Sequence, residues 1–256
     1  MIEGFKDFIR GLQFLSRIRL FPEEVWTPEG FGRSVKWFPL VGLFIGAGDV
    51  LVWWLASHIF HGFSLGAILV VSHIFWTGAL CYDGLMDVCD GVFSGRERAR
   101  MLEIMKDSRI GAFGCIALAV ALICRLAFIA DLPREVLPYV LLFIPVFSRW
   151  VMAGGVILYP YARKEGIGKA FSTYTGNGSF AFATIITLVI WYGGFVLCGA
   201  FAWYIWPAGI VWGALAAWWL CSQLGGLTGD CYGALSESSE LIMLGMAVAV
   251  TSPFWL

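Results

Sequence analysis

Residues 36–59 read KWFPLVGLFIGAGDVLVWWLASHI, in which Asp49 is the only acid and Lys36 stands at the edge. A bilayer core needs roughly 20 apolar residues per helix, so this stretch reads as a membrane-spanning helix. Working outward, the segments 63–82, 110–130, 136–159, 180–200, 204–226 and 241–255 repeat the pattern. Pro207 stands near the start of its segment, where a helix tolerates proline. Of the 256 residues, 59% are hydrophobic and 14% charged, with a mean hydropathy of +0.80. A soluble domain carries about 45–50% apolar and about 25% charged residues, so a soluble globule is excluded. The chain is expected to be an all-α polytopic transmembrane bundle of about seven spans, forming one membrane domain over 1–256. Thirteen Trp and 21 Phe suit the lipid–water boundary. A net charge of −1 gives no reason to expect a nucleic-acid partner.

The basic residues orient these spans. Of the 17 Lys and Arg, fourteen fall before span one, between spans two and three, or between spans four and five. Arg134 alone lies in a connection on the opposite side, and Arg125 and Arg149 fall within spans. Positive charge marks the cytoplasmic side, which predicts a cytoplasmic N-terminus, an outer C-terminus and a cytoplasmic loop at 227–240. Residues 1–22 mix apolar and charged positions, so they are not expected to act as a cleavable signal. Instead Ile2, Phe5, Phe8, Ile9, Leu12, Leu15 and Ile18 recur at helical spacing, with Lys6, Arg10 and Arg17 off that stripe. This predicts an amphipathic helix lying on the membrane surface. Seven cysteines without a CxxC pair read as small buried hydrophobes.

The end of span two reads Cys81-Tyr82-Asp83-Gly84-Leu85-Met86-Asp87-Val88-Cys89-Asp90-Gly91. If the helix continues, Asp83, Asp87 and Asp90 share one face. Spanning a membrane does not call for three like charges on a stripe, and intramembrane or border acids are functional by default. A divalent cation would relieve their repulsion, and oxygen ligands on a partly hydrated site suit Mg²⁺, which also recruits phosphates. A proton relay is a second use for such a chain of acids. Downstream, Lys106, Ser108 and Arg109 precede a helix whose first turns hold Gly111 and Gly114. Free N–H groups at such a helix start can hold a phosphate, and Arg adds a planar fork. Ser108 could equally cap the helix. A second polar cluster, 225–240, contains Asp230, Glu237 and Glu240. Asp230, at the membrane border beside Gly229, is its best ligand candidate. Asp49, Arg125 and Arg149 lie mid-span and read as an Arg–Asp pair buried for packing. His58, His61 and His73 fall on or beyond the outer half of spans one and two and receive no catalytic role.

Taken together, Asp83-Gly-Leu-x-Asp-x-x-Asp-Gly and Ile-Met-Lys-Asp-Ser-Arg-Ile-Gly-Ala-Phe-Gly at 104–114 resemble the adenosylcobinamide-GDP ribazoletransferase (cobalamin synthase) family. Thr228-Gly-Asp-x-x-Gly-Ala, Phe14-Leu-Ser-Arg17 and Tyr161-Ala-Arg163-x-x-Gly166 are similar to that family too. Met86 and Arg19 stand where its pattern has a small residue and a proline. The resemblance implies a multi-pass inner-membrane transferase of late vitamin B12 biosynthesis. Such an enzyme joins adenosylcobinamide-GDP to α-ribazole or its 5′-phosphate, releases GMP and requires Mg²⁺. Within that reading Asp83, Asp87 and Asp90 are cast as metal ligands, Lys106, Ser108 and Arg109 as phosphate-binding, and Asp107 or Asp230 as the base. Partners are then the two substrates and membrane lipid, with a homo-oligomer left open. The alternatives are a CDP-alcohol type membrane phosphotransferase and a transporter. The first wants an Arg one position earlier relative to Asp90 and a second paired-Asp motif. The second wants mid-membrane acids on broken helices in matching halves.

Overall fold

A computed structural model describes residues 2–20, 27–198 and 202–252. The described residues are helical apart from turns, loops and one isolated bridge between Tyr161 and Leu227. The helices are α1 (Ile2–Leu15), α2 (Pro28–Ser34), α3 (Phe38–Ala56), α4 (Gly62–Thr77), α5 (Leu80–Val92), α6 (Arg98–Ile104) and α7 (Ala112–Asp131). They continue as α8 (Leu137–Leu158), α9 (Ile167–Tyr174), α10 (Ser179–Cys198), α11 (Ala202–Leu224) and α12 (Gly229–Thr251). Among the described residues, five helices are long and apolar enough to cross a membrane, or up to seven segments if each of two sharply bent pairs counts as one. The expected all-α polytopic bundle is therefore the architecture found.

Three features depart from the sequence-based reading. The segment 63–82 is not one helix, because α4 ends at Thr77 and α5 leaves it at 90°. The corner is made by Gly78 (φ 63°) and Ala79 (φ 61°), both left-handed. Gly78 adopts that conformation freely, whereas Ala79 does so at a cost of about 1–2 kcal/mol. α5 thus lies alongside α7, with Tyr82 against Arg125 and Asp90 at the N–H groups of Gly111 and Gly114, instead of continuing the axis of α4. The last span starts at Gly229, not at 241, so residues expected in a cytoplasmic loop are helical and buried. Finally, the apolar stripe of α1 faces protein. Phe8, Ile9, Leu12 and Leu15 are buried, while Phe5 is largely exposed. Asp7 ties this helix to Arg33 of α2 at 3.2 Å and pairs with Arg10 of its own helix at 2.7 Å.

Close helix crossings are built on small residues. A Cβ added at Gly46 of α3 would sit 2.5 Å from the Leu142 carbonyl of α8, and Gly42 meets the Pro145 backbone in the same way. This Gly-x-x-x-Gly spacing lets the two backbones touch.

Charged groups occupy the bundle interior. Arg125 of α7 holds Glu237 at 2.6 Å and Glu240 at 2.7 Å, while Arg149 of α8 also binds Glu240. Ser148 Oγ donates to Glu240 at 2.8 Å. His73 of α4 faces Asp49 at 2.8 Å through Nδ1 and Glu240 at 3.3 Å through Nε2, and Ser72 Oγ donates to Asp49 at 2.7 Å. Both ring nitrogens of His73 thus face carboxylates, beside the two guanidiniums that hold Glu237 and Glu240. The expected Arg–Asp pair is thus replaced by Arg–Glu pairs, and Asp49 takes His73 instead. His73, Glu237 and Glu240 place ligand atoms within 4.8 Å of one another, a spacing a metal could use, but the two guanidiniums already hold both glutamates.

Candidate active site

α5 and the start of α12 meet where each carries a glycine. A Cβ at Gly84 would lie 2.6 Å from the Asp230 carbonyl, and one at Gly233 would lie 3.2 Å from Cys81 Cα. Any larger residue would push Asp83 and Asp87 away from Asp230. Thr228 sets the first turn of α12, its Oγ1 accepting from the Cys231 N–H at 3.3 Å. The chain before it is zipped to the end of α8. The Ala162 N–H donates to the Leu227 carbonyl, and the Leu227 N–H to the Pro160 carbonyl, both at 2.8 Å. Gly226, at φ 150°, allows this approach, since a side chain there would meet the Pro160 carbonyl at 2.6 Å. The zipper delivers Arg163 to Asp230, with Nη2 to Oδ2 at 2.8 Å. Thr228 Oγ1 donates to the same oxygen at 3.2 Å.

Asp83, Asp230 and Arg163 line a cleft of about 280 Å³ whose other walls include Phe14, Phe171 and Tyr232. Asp87 is half-buried beside them, and its carboxyl is pushed up to about 7. Burial is the largest cause, followed by the Asp230 and Asp83 carboxylates, with Arg163 partly offsetting them. Crowded acids that hold a proton near neutrality are a donor set that a divalent cation would satisfy.

Asp90 does something else. Its Oδ2 accepts from the Gly111 N–H and its Oδ1 from the Gly114 N–H, both at 2.8 Å. The helix start that the sequence offers to a phosphate therefore already receives a carboxylate of this chain. Gly111 and Gly114 leave the space this needs, because a Cβ at either would overlap the Asp90 carboxylate. Lys106, Ser108 and Arg109 are exposed on the preceding loop. Arg109 is paired with Asp107, its Nε at 3.0 Å and Nη2 at 2.5 Å from the carboxylate oxygens. That guanidinium holds the Asp107 carboxyl down at about 2. A base works best with a pKa near the working pH, so Asp107 is poorly suited to the proton-accepting role suggested for it. The structure thus brings Asp83, Asp87 and Asp230 together, and leaves Lys106, Asp107, Ser108 and Arg109 on a neighbouring loop joined to the site through Asp90. Arg163 had no role in the sequence reading, although Tyr161-Ala-Arg163-x-x-Gly166 was among the motifs that carried the resemblance.

The family model described as "Cobalamin-5-phosphate synthase" matches residues 7–248. The chain belongs to this family. Among curated members, the adenosylcobinamide-GDP ribazoletransferase of Desulfitobacterium hafniense is 37% identical over 91% of this chain and 92% of its own length. The namesake in a Roseiflexus species is also 37% identical, over 94% of this chain and 88% of its own. That of Brevibacillus brevis is 34% identical over 97% and 99%. No solved structure matches. The matched region contains every residue that lines the cleft.

Proposed function

We propose that this chain joins adenosylcobinamide-GDP to α-ribazole or its 5′-phosphate and releases GMP. The membership just described supports the reaction, and the convergence of Asp83, Asp87 and Asp230 with Arg163 is the observation that carries the chemistry. In that reaction the pyrophosphate P–O bond to GMP breaks and a phosphodiester forms with a ribose hydroxyl of the acceptor. Asp83 and Asp87 would hold Mg²⁺, with the remaining positions left to water and substrate phosphate. When bound, the metal supplies charge neutralisation on the transferred phosphoryl and the leaving group. Asp90 is left out of this set because both its oxygens fix α5 to the start of α7. Asp230 accepts the proton of the attacking hydroxyl through Oδ1, while Arg163 and Thr228 hold Oδ2. Arg163 also places a cation at the cleft where phosphate charge accumulates.

The same reading puts a single membrane domain in the cytoplasmic membrane, with the cleft and the N-terminus on the inner side. Its motivation is the one-sided distribution of Lys and Arg. The purified protein in detergent, given adenosylcobinamide-GDP and α-ribazole 5′-phosphate, should release GMP only when both are present and should stop on addition of EDTA. Uptake of a labelled substrate into proteoliposomes without any GMP release would favour the transporter reading.

A further inference from the structure

A second cavity opens at the corner between α4 and α5. It encloses about 250 Å³ and is lined mainly by polar surface, including Gln13, Ser16, Arg17, Arg19 and Thr77. Among the described residues no carboxylate lines it, whereas Asp83 and Asp230 line the neighbouring cleft. Phe14 and Leu80 line both cavities, so the two share a wall. Arg17 is seated with some definition. Its N–H donates to the Trp76 carbonyl at 2.8 Å, and its guanidinium lies against Gly78 so closely that any side chain there would strike it. The left-handed turn at Gly78 thus both breaks the helix and makes room for the arginine. Positive-inside bias accounts for arginines on this face, but not for two of them walling one cavity beside an acidic cleft.

We propose that this cavity is a phosphate subsite that takes the phosphomonoester of the acceptor nucleotide. The inference rests on the transferase reading above. The carboxylate cleft deals with the pyrophosphate through a cation. A further phosphate on the acceptor would be repelled by Asp83 and Asp230 unless a cationic pocket lies within reach. Two guanidiniums offer the planar, charge-assisted donors that phosphate oxygens take best. An anionic lipid headgroup has the same chemistry and could come from the membrane face, so the two sources must be told apart.

Binding of α-ribazole and of α-ribazole 5′-phosphate to the full chain in nanodiscs provides the test, with no turnover required. Wild-type protein should prefer the phosphorylated form. Arg17→Gln and Arg19→Gln should each shrink that preference by about tenfold, and Arg17→Lys should keep part of it. The preference for the phosphate, as a ratio, is the readout, so a general loss of folded protein does not mimic the effect. An unchanged ratio in both Gln variants would overturn the proposal. So would a ratio that changes in nanodiscs of anionic lipid but not in purely zwitterionic ones, which would assign the cavity to a headgroup. GMP release, measured separately on wild type, reads the transferase proposal itself. Absence of release alongside a phosphate preference lost in the variants would sink that reaction while leaving the subsite standing.

Discussion

Asp87 and Asp90 lie on the same face of α5, yet neutralising each should move stability in opposite directions. Asp87 is crowded by burial and by the Asp230 and Asp83 carboxylates, which move its pKa from 3.8 to about 7. Taken at face value a shift of that size is about 4 kcal/mol between protonation states. Half the side chain is accessible, however, so solvent screening reduces the penalty to about 1–2 kcal/mol. Between about pH 4 and pH 7 the folded protein keeps a proton that the unfolded chain has lost. Stability therefore falls as pH rises through that window. Asp87→Asn should stabilise the metal-free protein at pH 8 and be neutral near pH 4. Asp90 instead accepts two backbone N–H groups at 2.8 Å at the start of α7. An Asn there keeps one acceptor, turns an NH₂ toward the other N–H and loses the charge. One charge-assisted hydrogen bond is worth about 1.5–3 kcal/mol, and a carboxylate at a helix N-terminus adds about 0.3–1 kcal/mol. Asp90→Asn should thus destabilise by about 2–4 kcal/mol. Thermal unfolding of both variants in detergent with EDTA, at pH 8 and near pH 4, measures this. Destabilisation by Asp87→Asn at pH 8, or wild-type behaviour of Asp90→Asn, would refute the division of roles.

Since a cation at Asp87 must displace its proton, Mg²⁺ affinity should weaken by up to about tenfold per pH unit below pH 7, and titration calorimetry in buffers of different ionisation heat should show proton release on binding. Arg149→Met strips one partner from the fully buried Glu240, a loss of about 3–5 kcal/mol. It should abolish folded yield on size-exclusion chromatography, with Arg149→Lys recovering part of it. A reporter fused after Leu256 should read outside and one inserted near Glu97 inside; the same side for both would mean the span count is off by one.

The helices that were legible in the sequence are those whose apolar runs speak for themselves. α3 and α8 lie within the expected segments and α7 overruns its own by one residue, because each carries at most one interior charge and length alone identifies such a run. The start of α12 was not legible. Glu237 and Glu240 look like loop residues locally, and what makes them buriable is Arg125 and Arg149, which arrive from other helices about ninety to 115 positions earlier in the chain. The corner at Gly78–Ala79 was hidden for another reason: its residues are apolar, so hydropathy runs through it without interruption. At the site, the Asp83–Asp90 spacing was visible, but spacing could not divide the labour among the three acids. That division depends on the N–H groups of Gly111 and Gly114 and on the approach of Asp230, both long-range.

The buried charges and the cleft are parts of one construction. Glu237 and Glu240 sit two turns or so along α12 from Asp230, so whatever fixes them in register also fixes Asp230 at the mouth. Arg125 reaches those glutamates from α7, the same helix whose first turn is held by Asp90 of α5. Its guanidinium also lies over the Tyr82 ring of α5, at 5.8 Å from the centroid. α5 is therefore clamped to α7 at Asp90 and near Tyr82, and α12 is clamped to α7 at Glu237 and Glu240. The two glycines at their crossing let them close on each other. Hydrophobic packing in a bilayer is weakly directional, since lipid is as apolar as the helix surface. Ion pairs with defined partners give the register that such packing leaves loose, and in this fold that register decides whether Asp83, Asp87 and Asp230 face one another.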